Sequence, residues 1–547
     1  MTAETRTVRA TLHRSLRSRG CQMTAVVVTF FIVASRHWHN DGLWFGDAPQ
    51  HAINGLFWWD LLTTMPGDPM EFALRYYARY PVLNPVKYPP LFYLLEGAGF
   101  AVFGAWPQVA KGIVSMFAIG AGFYTMAWAR RWIDPLAGWS GAVLAFVPGV
   151  VVLSNAVMLN VPALALGLAA LYHLRRALET SATREFVITT ALLGALLMTY
   201  YQGAVVVCIC AAWVLLRWRH LRLRRGAIWV AVAIVAALVP VAASILVGPV
   251  HAARHLPSLA SLTRASTWTF YWKQLPGVVG VTALALGSAG LLAGVLVRAW
   301  RREALYMIVW IVVLIACVSP LPARDARYIL LVAPAFVIAA AIGIAALNEL
   351  FPVRAPAAHA LALVGLIAIA MWSAARVEVP DVRGFREVTD YLKEHGPRDA
   401  VLYDGGSEGL FGFYLRAADP GFDRRMVRGD KLVYEQGPTT SFSSWFSKSN
   451  ASSTDEVVVL VRERCGCQWV AMEVGRRPPS QKGRALLWET LRRSEFEHVA
   501  SFDIEGKENR RVELFRLTTP VQPAPTVDLT FPSFTNRTFP GISPITR

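Results

Sequence analysis

Apolar runs long enough to cross a bilayer recur from residue 21 to about 375, and then they stop. Short polar breaks separate them, and Lys and Arg collect in those breaks as "RSLRSRG", "ARRW", "HLRRALETSATR", "RWRHLRLRR" and "RAWRR". Basic clusters beside apolar runs mark cytoplasmic loops. Placing them inside predicts eleven spans, at 21–36, 112–129, 137–153, 158–174, 186–201, 203–216, 227–247, 277–297, 303–319, 328–347 and 357–375. The N-terminus is then cytoplasmic and the C-terminus external. Residues 186–216 carry basic clusters at both ends, so that run crosses twice and turns at "YYQG" on the outer side. The stretch "PLFYLLEGAGFAVFG" (91–105) is short, holds Glu96 and would put "ARRW" outside if it crossed; it reads as interfacial or re-entrant.

Beyond residue 375 the periodicity changes. "FREVTDYLKEH" has a helical pattern, a short apolar strand ends in a "DGG" turn, and "DEVVVLVRERCGCQWVAMEV" and "FEHVASFDIEGKENRRVELFRL" read as further strands. The predicted architecture is therefore a polytopic α-helical membrane protein of about 11–13 transmembrane helices with a C-terminal extracytoplasmic α/β domain. Its parts are a cytoplasmic basic N-terminus (1–20), a transmembrane domain (21–375) with a large outer loop (37–111), and an outer domain with a Pro-, Thr- and Phe-rich tail (376–547), the tail extended or loosely packed.

Composition agrees: 54% of the 547 residues are hydrophobic and 17% charged, outside the soluble range. The net charge of +17 sits in the loop clusters. No basic stripe with interleaved aromatics marks the outer domain, so nucleic acid is set aside as a partner. The first apolar run, flanked by basic residues, also has the build of a cleavable signal peptide; span parity favours a retained anchor. Cys465 and Cys467 ("CGC") read as unpaired thiols, too close for an easy mutual disulfide and without the second pair a zinc site needs. "GGSEGLFG" (405–412) is neither a phosphate-binding loop nor a nucleophile elbow.

The candidate chemistry lies in the outer loop. In "LWFGDAPQHAINGLFWWDLL" (43–62), Asp47 follows the first span among tryptophans that prefer interface depth. A loop carboxylate is by itself more often merely solvated. Downstream, in "YYARYPVLNPVKYPPLFYLLEGAGFAVFG", Pro81, Pro85, Pro89 and Pro90 fix an extended path into the apolar segment.

An Asp-bearing stretch followed by a Pro-Pro-Leu segment resembles the opening loop of the GT-C glycosyltransferases, specifically the bacterial relatives of protein O-mannosyltransferases and lipid A aminoarabinose transferases. "SNAVMLNVPALALGLAALY", "LLGALLMTYYQG" and "SPLPARDARYILLVAPAF" follow in the order of that family's Leu-Asp-x-Pro, Thr-Lys and Arg-Tyr-Leu segments, over roughly residues 20–375. The chain departs from the pattern at Ala48, where many members have Glu, at Asn160, where many have Asp, and at Tyr200, where many have Lys.

The resemblance implies transfer of a sugar, with inversion, from a polyprenyl-phosphate donor to an envelope acceptor (lipid, glycan or protein) on the outer face of the bacterial cytoplasmic (inner) membrane. Asp47 is then the general base. Arg327 is the first candidate for the donor phosphate, with Lys87 and Arg79 second; the bland roles are an anchor pairing with Asp325 for Arg327 and lipid-headgroup contacts for the other two. His51, one helical turn from Asp47, together with Tyr200, Tyr201 and Asn160, would line the substrate. No cofactor is demanded; a divalent metal stays open without support, since Asn160 carries no charge. The alternatives are a transporter or flippase-like protein, against which stands the near absence of mid-span ionisable residues, and a catalytically inactive GT-C scaffold, which Ala48 and Asn160 favour.

Overall fold

The structure, a computed structural model, describes residues 14–36, 38, 41–44, 46–84, 87–217, 262–350, 356–396, 400–438, 445–475, 479–506, 510–522, 524–530 and 538–546. The span expected at 227–247 lies outside the described residues. In chain order the helices are α1 (Arg19–Ser35), α2 (Ala48–Thr64), α3 (Pro69–Arg79), α4 (Leu91–Phe103), α5 (Pro107–Trp132), α6 (Asn160–Thr180), α7 (Thr183–Leu197), α8 (Ala204–Arg217), α9 (Ala265–Val279), α10 (Val281–Leu296), α11 (Arg301–Val318), α12 (Ala333–Leu350), α13 (Pro356–Ala375), α14 (Phe385–His395), α15 (Glu408–Ala418) and α16 (Lys482–Thr490), besides shorter turns. The chain forms two compact units. Among the described residues one gathers 14–38, 111–217 and 262–379, and the other 41–110 and 380–546.

The first unit is helical and apolar. Two described helices, Pro107–Trp132 and Ala326–Glu349, are long and apolar enough to cross a membrane, and two bent pairs join them if each is one span. Among the other expected spans, α1 is shorter at 17 residues, α11 begins among charges at Arg301, Arg302 and Glu303, and the 21-residue α6 ends among them at Arg175, Arg176 and Glu179. The expected span 137–153 is broken, bending by 54° before Pro148, whose missing N–H ends one helix and starts another. The expected span 277–297 is bent by 113° at Gly280, and α9 is a helix where a loop was expected up to 276. The run 186–216 does break into α7 and α8 at the Tyr201–Gly203 turn.

Small residues let these helices close up: a side chain at Gly290 on α10 would strike the backbone of Ala339 on α12. The indoles of Trp128, Trp213 and Trp310 cluster with centroids 5.5–6.2 Å apart. The basic clusters meet at one end. Arg175, fully buried, bonds Glu303 at 2.5 Å, and Arg131 and Arg302 reach Glu179. Arg176 and His173 both hold Glu185, and Arg17 pairs with Asp134. Helix α6, about 30 Å long at 1.5 Å per residue, carries this charged network at its C-terminal end and Asn160 at its start.

The second unit joins helices α2, α3 and α4 to an α/β domain. Five strands, β1 (Ala400–Asp404), β2 (Arg425–Arg428), β5 (Cys467–Val474), β6 (Phe496–Ile504) and β7 (Arg510–Leu517), form a sheet of order β2-β1-β5-β7-β6. The first three run parallel and the last two pair antiparallel; two-stranded ribbons β3/β4 (Tyr434–Pro438, Trp445–Ser449) and β8/β9 (Val527–Thr530, Thr538–Ile542) complete the strands. Leu402, Val470, Met472, Leu487 and Phe515 lie in its core. Residues 41–43 join this unit through a bridge from Leu43 to Val382.

Three expectations change here. The stretch read as one strand from Asp455 is helical to Cys465, because Ser453 caps the turn through Glu456 N–H and Asp455 and Glu456 sit where the helix start favours acids. Cys465 and Cys467 are joined in a disulfide: Gly466, at φ 61°, folds the chain back and leaves their Cα atoms 5.3 Å apart, within bonding range. The tail is not loose throughout; β8 and β9 form a hairpin, and Ile545 N–H donates to the Arg75 carbonyl on α3.

Candidate functional site

In the second unit, Asp47 stands immediately before α2, whose first turn is primed by Pro49. Positions 47, 51, 54 and 55 share one face of that helix. This face packs on α4, and Lys87, in the turn that precedes α4, lies against Asp47, Nζ to Oδ1 3.9 Å, with both side chains about a quarter exposed. Lys87 also lies over the Tyr88 ring. His51 is 2% exposed; its Nδ1 is 2.8 Å from the Tyr93 hydroxyl, and its ring lies between those of Tyr88 and Tyr93. Asn54 clasps the loop from both sides, donating to the Asn84 carbonyl and accepting from its N–H. Burial holds the pKa of the Tyr93 hydroxyl well above its ordinary value, so it stays a neutral donor or acceptor at physiological pH.

One level deeper in the same seam is Glu96. It is fully buried, and neither carboxyl oxygen has a hydrogen-bond partner among the described residues. Sequence reading used Glu96 only to argue that its segment does not span, and it passed over Tyr93, Tyr88 and Asn54. The i, i+4, i+7, i+8 spacing of Asp47, His51, Asn54 and Gly55 was the available signal.

Arg79 has a different setting. It is 7% exposed and its Nε donates to the Ile545 carbonyl, so it fastens the tail to α3.

In the first unit, Asn160, Tyr200 and Arg327 line one small cavity of about 40 Å³ together with Gln202 and Tyr328. Tyr201, which opens the neighbouring turn, is not among its lining residues. Asp325 caps the Ala326–Val332 turn by accepting from Arg327 N–H, and it also takes the Arg327 Nε at 3.1 Å. Arg327 is thus both the anchor and a cavity-lining cation, 17% exposed. The Asn160 amide donates to the Arg327 carbonyl at 3.3 Å. Asn160 begins α6, opposite the charged network at its far end. A larger cavity of about 670 Å³ in the same unit is mostly apolar, lined among others by Val143, Phe146, Leu286 and Ile344, and shares no residue with the small one. Its chemistry suits a hydrocarbon chain rather than a reaction.

The chain thus combines an apolar helical unit with a second unit in which three helices join an α/β domain, and in that second unit a loop carboxylate pairs with a lysine. No protein-family model and no curated protein matches the chain. Solved structures do. It is similar to ArnT from Cupriavidus metallidurans bound to undecaprenyl phosphate, at 15% identity and a TM-score of 0.60, over 92% of this chain and 98% of that one. It is similar to the oligosaccharyltransferase of Archaeoglobus fulgidus at 13% identity and a TM-score of 0.53, over 83% and 70% of the two chains. It is also similar to the mycobacterial arabinofuranosyltransferase AftD at 14% identity and a TM-score of 0.54, covering 94% of this chain but 41% of that one. All three are GT-C glycosyltransferases, and this chain has their fold.

Proposed function

We propose that the protein is a membrane glycosyltransferase that moves a sugar from a polyprenyl-phosphate donor to an acceptor on the outer face of the cytoplasmic membrane, with inversion. The observation that carries this reading is the Asp47–Lys87 pair in the outer loop of a GT-C fold. A quarter-exposed carboxylate beside a lysine is reachable from solvent, as a base must be. The undecaprenyl phosphate of the ArnT structure supports a lipid phosphate as the donor's carrier.

In the proposed reaction the acceptor's hydroxyl or amine gives its proton to the Asp47 carboxylate while its heteroatom bonds the anomeric carbon. The bond from that carbon to the phosphate oxygen breaks, and the polyprenyl phosphate leaves with the electron pair. Growing charge on the phosphate calls for fixed cations, the role proposed for Arg327 and for Lys87. His51, held by Tyr93, orients the start of α2. Tyr200 and Asn160 shape the Arg327 cavity.

The proposed placement is multi-pass in the inner membrane, N-terminus cytoplasmic and α/β domain outside. The meeting of the basic clusters at one end of the first unit supports it, as does a disulfide in the second unit, since disulfides persist in oxidising compartments.

The test is turnover of a panel of polyprenyl-phosphate sugars by purified protein in detergent. Asp47→Asn should lower kcat/KM by about 10²–10⁴-fold, the usual worth of a general base. If the wild type neither transfers nor hydrolyses any donor, the inactive-scaffold alternative gains; if Asp47→Asn keeps full activity, Asp47 is not the base.

A further inference from the structure

The buried carboxyl of Glu96 has no part in the chemistry above. Its surroundings are specific. Gly55 on α2 leaves the room it occupies, since a side-chain carbon there would come within 2.5 Å of Glu96 Oε2, and the next residue, Gly97, brings α4 against the Gly55 carbonyl. The helices therefore close around an acid side chain whose oxygens find no donor among the described residues. A buried charge without a partner is far costlier than a neutral polar group.

Every charged or titratable group on the packed elements has another setting. On α2, Asp47 faces Lys87, His51 is bonded to Tyr93, and Asp60 is held by Arg416 and Tyr76. On α4 itself Tyr93 is the titratable neighbour, and it faces His51. On α15, which packs on α2, Glu408 pairs with Arg428 and Arg416 with Asp60, while Tyr414 donates to the Asp41 carbonyl. Among the described residues no Lys, Arg or His lies within ion-pair distance of Glu96.

We infer that Glu96 is a positioning residue that works as a proton-controlled clasp: the α2–α4 seam, and with it the registration of Lys87 on Asp47, is tight only while Glu96 carries its proton. The clasp rests on the proposed function only in taking Asp47 and Lys87 as working residues. The sign follows from linkage. Burial raises the Glu96 pKa well above its ordinary 4.5, so the closed seam binds one more proton than the open one. Closure is fully favoured below about pH 4.5, weakens by up to about tenfold per pH unit above it, and levels off beyond the raised value. Acid outside the membrane therefore tightens the seam and alkali loosens it.

The experiment is hydrogen exchange by mass spectrometry on the full-length protein from pH 5 to pH 8, corrected for intrinsic exchange, reading peptides across 91–103. Wild-type protection should fall by up to about tenfold per pH unit, and Glu96→Gln, neutral at every pH, should stay flat. Glu96→Leu should also stay flat and replaces Glu96→Gln if that variant fails to fold. Protection that is independent of pH in the wild type, or falls equally in the variants, overturns the clasp. Donor turnover on the same samples separates the two proposals. A pH-dependent seam without turnover removes the glycosyl-transfer reading alone; Asp47-dependent turnover with a pH-independent seam removes the clasp alone.

Discussion

Within the second unit, one of the ties between helices α2 and α3 and the α/β domain is an arginine. Arg416 on α15 donates to Asp60 on α2 at 2.7 Å, to the Tyr76 hydroxyl on α3 at 2.9 Å and to the Asp419 carbonyl at 3.2 Å, and its guanidinium lies 4.2 Å from the Phe422 ring centre. Burial pulls the Arg416 pKa down, but Tyr76 and Asp60 outweigh it, so the charge is secure. The Arg416 side chain is 8% exposed and that of Asp60 17%. Arg416→Met keeps much of the volume and strands Asp60. Removing one partner of a buried pair costs about 3–5 kcal/mol, and the residual exposure of Asp60 places this case near the lower end, about 3 kcal/mol. That is about a 150-fold rise in the opening equilibrium of α2 and α3. Adding Asp60→Leu removes the stranded charge, and the double variant should recover most of the loss. Global melting of a membrane protein is seldom reversible, so hydrogen exchange across 48–79 is the proper reading. A cost below about 1 kcal/mol for Arg416→Met, or a double variant less stable than the single one, refutes the tie.

Two further outcomes follow from the geometry. A membrane-impermeant maleimide applied to intact cells should label Cys465 and Cys467 only after reduction and unfolding, because both thiols are buried and disulfide-bonded; labelling that requires lysis instead puts the domain in the cytoplasm. Asn160→Asp should weaken donor use by about 5–150-fold, since a carboxylate would face the Arg327 carbonyl that the amide now binds, at a cost of about 1–3 kcal/mol for the unmet acceptor. Steady-state kinetics on the donor check this, and an Asn160→Asp enzyme as fast as wild type sinks the amide's assigned role.

Much of the fold was legible because membrane helices advertise themselves by composition. Helices α4 and α5 are separated at Gly104, whose φ of 87° ends α4. Breaks at Pro148 and Gly280 were not legible, since an apolar run reads the same whether its helix is straight or bent. The apolar strand reading of Asp455–Cys465 missed a capping signal that "SSTDE" contains. The disulfide was missed because spacing alone cannot show that Gly466 adopts a left-handed turn. In the site, Asp47 and Lys87 were picked separately from one loop, and their pairing depends on α2 and α4 packing, which is tertiary information.

Two of the three departures from the GT-C pattern look different once packing is included. Ala48 is fully buried in the first turn of α2, so a Glu at that position would have to be forced into a packed interface, an unpaired charge where a methyl now fits. Asn160 uses the one capability an amide has and a carboxylate lacks, donating a hydrogen bond to the backbone of Arg327. A chain drifting out of use would lose carboxylates and leave gaps or unmet acceptors behind. Here each replacement is fitted to its neighbours while Asp47 keeps its lysine, which is the arrangement expected of a site built around a single carboxylate.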